Sequence, residues 1–247
     1  MAARDEIVAY AGALLEAEKW PEFAPAGLQV VGAADVTRLA CGVSSSRELF
    51  EQAADAAAQM LIVHHGLFWR NEPLVVDARL RGRLEALFRG DVSLVAYHLP
   101  LDAHAELGNS AQLARRLGAM RTGPFAGVGA DCTLDEPAGI AELAARVEAL
   151  TGREPLVFPY GPEVVRRLAI STGAAGYELI RAAGEGYDAL LTGEAEEPNL
   201  HSARELGIHL IAAGHHATER YGVQALAGAL ADRFGLDWLY LEVENLV

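Results

Sequence analysis

Residues 39–66 read LACGVSSSRELFEQAADAAAQMLIVHHG, and the architecture follows from this stretch. Leu39 to Val43 is a short apolar run of strand length, Arg47 to Ala58 has the composition and length of a helix, and Met60 to Val63 is a second buried strand. The serines Ser44, Ser45 and Ser46 sit just ahead of Arg47 and supply an N-cap for the helix. Strand, helix and strand in alternation predict an α/β protein with a mainly parallel sheet.

The alternation continues on both sides. Ile7, Tyr10, Ala11, Leu14 and Leu15 recur at helical spacing, so residues 4–19 form an opening helix that Pro21 and Pro25 close. A strand starts at Gly27–Val30, and after Val63 come a helix near 77–89, a strand over Val92–Tyr97 and a helix near 109–117. Glycine and proline cluster between Gly123 and Gly129, which marks the expected boundary between lobes 1–125 and 126–247. The second lobe reads as a strand through Cys132, a helix over Pro137–Leu150, strands near 155–158 and 166–170, and a helix near 175–183. It continues with a strand Ala189–Leu191, a helix near 198–206, a strand Ile208–Ala212, a long helix from His216 to Phe234 and a closing strand Trp238–Leu241. Two similar α/β lobes are expected. MLIVHHG and HLIAAGHH echo one another, each placing a histidine pair just after an apolar strand.

Composition narrows the function classes. The 247 residues are 51% hydrophobic and 22% charged, enough for a sizeable core, with no low-complexity tract. The net charge is −14 with basic residues scattered, so nucleic acid is not an expected partner, while the acidic excess suits divalent cations. Charges interrupt the apolar positions of the first twenty residues, unlike a signal peptide. No run reaches the roughly 18 apolar residues of a membrane helix. The expected compartment is the cytoplasm, where Cys41 and Cys132 serve as small buried thiols.

Three groups of residues carry possible chemistry. His64 and His65 follow a strand directly, and Gly66 lets the backbone turn both imidazoles to one place; the competing reading is a packed or capping pair. His98 and Asp102 lie in YHLPLDAH, where Pro100 stops helix formation and His104 follows Asp102 by two residues; an aspartate there also serves as a turn residue. His215 and Glu219 are four apart at the start of the long helix and share one face, whereas His216 and Arg220 point elsewhere. Glu219 alone would also suit a first-turn acid complementing the helix dipole. Imidazoles and carboxylates at strand ends suit Zn, Mn, Fe or Co, and five donors exceed the needs of one tetrahedral ion. There is no GxGxxG after a strand, no Walker A, no CxxC and no GxSxG.

At GLQVVG, VHHGLFW, AYHLPLDAHAELGNSAQLA, LLTGEAEEPNLHSA and AAGHHATERYGVQALA, spread over nearly the whole chain, the sequence resembles the Nif-three-like dinuclear-metal family, whose bacterial members are often labelled GTP cyclohydrolase I type 2 homologs. The resemblance implies two metal ions held between two α/β lobes by His64, His65, Asp102, His215 and Glu219, with Glu219 as the bridge. His98 matches a histidine beside the metals, a candidate proton shuttle or further ligand. A toroidal homohexamer is implied, in the short YbgI-type form without an inserted middle domain. Where the family often shows Thr-Gly-Asp, this chain has Thr192-Gly193-Glu194, and His201 follows in NLHSARE. The expected function is metal-dependent hydrolysis of a nucleotide-like or other phosphate-bearing small molecule. The alternative is a non-enzymatic, ring-shaped metal-binding scaffold, regulator or metallochaperone.

Overall fold

A computed structural model describes residues 1–247. In chain order, β1 (Ala2–Ala3) leads into α1 (Arg4–Leu14), then β2 (Gly27–Val30), β3 (Asp35–Val36), β4 (Arg38–Ser44), α2 (Arg47–Asp55), β5 (Met60–His65), α3 (Ala78–Gly90), β6 (Ser93–Ala96) and the single turn α4 (Leu99–Asp102). After these come α5 (Asn109–Leu117), β7 (Ala119–Phe125), β8 (Gly129–Ala138), α6 (Ile140–Thr151), β9 (Leu156–Pro159), β10 (Val165–Ser171) and α7 (Leu179–Gly184). The chain finishes with β11 (Ala189–Thr192), α8 (Asn199–Leu206), β12 (His209–Ala212), α9 (His215–Phe234) and β13 (Asp237–Tyr240).

Two compact units result: Met1–Leu101 with Gly222–Glu244, and Asp102–Tyr221 with Asn245–Val247. This division differs from the expected one at 125/126. The glycine and proline cluster belongs to a hairpin in which β7 and β8 pair antiparallel, Phe125 opposite Gly129, so it marks a tight turn and not a linker. The last strand, β13, returns to the first unit as a parallel neighbour of β4.

In the first unit the sheet order is β13-β4-β5-β6-β2, parallel throughout except for β2 at one edge. Ser46 caps α2 by accepting the Leu49 backbone N–H at 3.1 Å. Leu49 and Phe50 of α2 and Leu87 of α3 pack with Leu61, Val63 and Leu94 of the strands. The register sets Ser44 beside His65 and Val63 beside Ala96, so the carboxyl ends of β4, β5 and β6 lie level at one edge. That edge is where an open parallel sheet collects ligands.

The second unit's sheet, β7-β8-β10-β11-β12-β9, is mixed: β10, β11 and β12 are parallel, and the other three pairings are antiparallel. Alternate residues go to opposite faces. Leu168, Ile170, Leu191 and Ile211 meet Leu143 and Val147 of α6 and Leu113 of α5. Ala169, Leu190 and Leu210 meet Leu179 of α7 and Ala203 of α8. Burial on both faces is why these strands read as unbroken apolar runs.

Pro100 does not stop helix formation: it lies in α4, where the Leu101 N–H bonds the His98 carbonyl at 2.9 Å. The first turn of a helix has no use for the N–H that proline lacks. Burial pushes both cysteine thiols up to about 12, which removes them as nucleophiles. No helix is long and apolar enough to cross a membrane.

Leu61→Ala should cost about 2–5 kcal/mol by denaturant titration, because the side chain is fully buried in the first unit's core. The same truncation at exposed Leu246 should stay within about 0.5 kcal/mol.

Candidate metal centre

The first unit gathers three imidazoles at its level strand ends. His64 and His65 are the last two residues of β5, and His98 follows β6. One ligand nitrogen from each lies within 4.8 Å of the others. His64 is fully buried, and its Nδ1 is 3.0 Å from the Tyr97 carbonyl oxygen. A carbonyl only accepts, so Nδ1 carries the proton and Nε2 presents its electron pair. His98 is held in the same sense: its Nδ1 lies 2.7 Å from Glu22 Oε2, while Glu22 Oε1 accepts the Leu99 N–H at 3.1 Å. His65 Nδ1 is 2.8 Å from the Ser44 hydroxyl across the β4–β5 register. Trp69 stands edge-on to His98, ring centres 5.0 Å apart, and also meets His65 at 5.8 Å.

Gly66 does not adopt a left-handed backbone, and what its bare Cα meets is a side chain. A Cβ on it would collide with the amide of Gln29, whose Oε1 accepts the Leu67 N–H at 2.7 Å.

The second unit builds its donors at the ends of β11 and β12. His215 Nε2 lies 3.1 Å from Glu219 Oε2, as i,i+4 placement on one helix face predicts. His215 Nδ1 lies 2.5 Å from Glu194 Oε1, so Glu194 orients this imidazole. Glu219 is only 3% exposed. Gly173, at φ +69°, lies against it, and a Cβ there would collide with Glu219 Oε1. Thr218 and Thr192 hold that glycine, the first accepting its N–H at 3.2 Å and the second donating to its carbonyl at 3.1 Å. Asp102 is 8% exposed, with Oδ1 accepting from the buried Asn109 amide at 2.9 Å.

Burial by itself would push the His215 imidazole down, but the Glu219 hydrogen bond and charge, with those of Glu194, outweigh it and raise its pKa from 6.5 to about 9. The metal-free protein therefore carries a positive charge between two carboxylates where a cation of higher charge would fit.

Two other histidines do structural work. His104 Nδ1 accepts the N–H groups of Glu106 and Leu107 at 3.2 and 3.0 Å, which closes a turn. His209 accepts the Gly161 N–H at 3.1 Å and donates to the Pro162 carbonyl at 2.8 Å. His201 lies exposed on α8. Sequence reasoning missed Glu22, Ser44, Trp69, Gly173 and Thr218, none of which stands in a ligand-like pattern.

The first unit by itself gathers three imidazole nitrogens and the second by itself an imidazole with neighbouring carboxylates, and neither cluster contains a thiolate. Such donors fit borderline divalent ions. The profile of the family Duf34/NIF3 (NGG1p interacting factor 3) matches residues 2–245. The chain belongs to this family. Among NIF3 relatives, the GTP cyclohydrolase 1 type 2 homolog of Pseudomonas aeruginosa is 45% identical over 97% of this chain and 96% of its own. The solved structure of protein ybgI, described as of unknown function, superposes with a TM-score of 0.96 at 41% identity, covering all of both chains. The protein TTHA1606 from Thermus thermophilus follows at 0.93 and 36%, also over the full length of both. The NIF3 α/β fold is thus shared along the whole chain.

In metal-free protein, NMR titration of His215 should give a pKa near 9, and Glu219→Gln should bring it down toward 6.5. Because the folded value is raised, the pair's contribution to stability is complete below about 6.5 and fades as pH climbs through about 9.

Proposed function

We propose that His64, His65, Asp102, His215 and Glu219 hold two divalent ions of the Fe, Zn, Mn or Co class, Glu219 being shared by both. On this reading the protein is a metal-dependent hydrolase of a nucleotide-like, phosphate-bearing small molecule. The observation that supports it most is the second layer of hydrogen bonds. His64 spends its Nδ1 proton on the Tyr97 carbonyl, which selects the tautomer able to ligate through Nε2, and Glu22 holds the His98 ring beside it. The name given to the Pseudomonas aeruginosa relative favours the nucleotide-like class.

Paired divalent ions in such a donor set supply hydroxide at neutral pH and a clamp for phosphoryl oxygens. The chain's own residues do the rest. Glu22 holds the His98 ring in one orientation, from which Nε2 can pass a proton to a leaving oxygen and recover it from water. Glu194 keeps His215 in one orientation. Asn109 donates to one oxygen of Asp102 and so fixes the carboxylate's orientation. A ring of six copies working in the cytoplasm completes the proposal, and light scattering on the purified protein checks its mass.

Metal analysis of the purified protein should give two ions per chain, falling below one in His64→Ala and Glu219→Ala, with hydrolysis of a nucleotide and phosphoester panel falling in step. His98→Gln should keep its metal and lose about 10²–10⁴ in kcat. Hydrolysis that survives complete chelation sinks the hydrolase reading. Full metal occupancy with no turnover on the panel places the protein among metal-binding scaffolds, regulators or metallochaperones instead.

A further inference from the structure

Next to its three histidines the first unit contains a cleft of about 300 Å³, lined chiefly by apolar side chains including Phe23, Leu67, Phe68, Trp69 and Val75. Two of these tie it to the histidines. Trp69 is both a cleft wall and the ring that stands edge-on to His98 and meets His65. Phe23 is the chain neighbour of Glu22, which orients His98. The rim is an exposed apolar strip, Leu74, Val75 and Val76, in the segment between β5 and α3.

The cleft also carries charge. In a chain of −14, the thirteen residues of α3 hold four arginines. Arg79, Arg81 and Arg89 pair with Glu72, Glu85 and Glu51. Arg83, half-buried in the cleft wall, makes no ion pair. The acids nearest to it are engaged elsewhere: Glu72 with Arg79, and Asp77 with the Leu80 N–H at the start of α3. Glu72, which also lines the cleft, and Asp77 act on the half-buried guanidinium without offsetting its loss of solvent, so an arriving anion would be stabilised there.

We propose that this cleft binds the aromatic ring of an aryl or heteroaryl phosphate, with Phe68 and Trp69 against the ring and Arg83 answering the anion's charge. Calling that ligand the substrate rests on the hydrolase reading above; the binding itself does not. The volume lies at the small end of ligand sites and suits one bicyclic ring. Aromatic walls favour a planar π-system over an aliphatic chain of equal area.

The test is calorimetric titration of the metal-loaded protein with 1-naphthylmethylphosphonate, which cannot be hydrolysed, and with methylphosphonate. The aryl ligand should bind at least about 10-fold tighter, since an aromatic ring buries most of its apolar surface in the cleft. Phe68→Ala and the rim variant Val75→Asp should each loosen the aryl ligand by about 10-fold, the second at an exposed position that leaves the fold intact. Arg83→Gln should weaken the phosphonate about 10-fold yet leave neutral 1-naphthylmethanol unchanged. Equal affinities for the two phosphonates, or variants without effect, overturn the proposal. So does a change of oligomeric state in Val75→Asp with affinity unaltered, which would make the strip a contact between copies. Binding without any turnover would fail the hydrolase reading alone, and turnover without aryl preference would fail the cleft alone.

Discussion

A fully buried imidazole has to spend its proton somewhere, and in this chain His64 spends it on the backbone carbonyl of Tyr97. That one hydrogen bond runs from the end of β5 to the segment leaving β6, so it exists only if the two strands are parallel and in the observed register. It selects the tautomer that presents Nε2, and it sets the position from which His65 and His98 are arranged. Slip the strands by one residue and every side chain at the edge changes face. The core packing of Leu61, Val63 and Leu94 is thus also what aligns the nitrogen donors.

The second unit reaches a comparable result by other means. Its parallel strands β10, β11 and β12 deliver Gly173, Glu194 and His215 just past their carboxyl ends. A helix start supplies Glu219 one turn from His215. Here the tight fit is between a bare glycine backbone and a carboxylate, fastened by two buried threonine hydroxyls. The donor types differ as well: imidazoles make up the first unit's cluster, and carboxylates flank the single imidazole of the second.

Much of this was legible in the sequence because the governing signals are local. The strand–helix–strand run of residues 39–66, the histidine pair at its end and the four-residue spacing of His215 and Glu219 all survive as read. What escaped is non-local. Glu22 acts on a histidine 76 residues away, and nothing in WPEFAPAG distinguishes it from any surface acid. Gly66 was legible as special but for a different reason, the approach of Gln29. The lobe boundary was misplaced because a hairpin turn and a linker share their glycine and proline content, and only strand pairing separates them. The helical turn through Pro100 came from the same ambiguity, since proline ends some helices and begins others.

The return of β13 to the first sheet has a consequence for how the molecule comes to be. Residues 102–221 are contiguous, so during synthesis the second unit holds all but its last three residues before the first unit holds all of its strands. Until residues 237–240 leave the ribosome, β4 has an unpaired edge. Such edges invite pairing with other chains. The first unit is therefore begun first and finished late, and the segment most exposed to misassembly is the strand that ends beside the histidines.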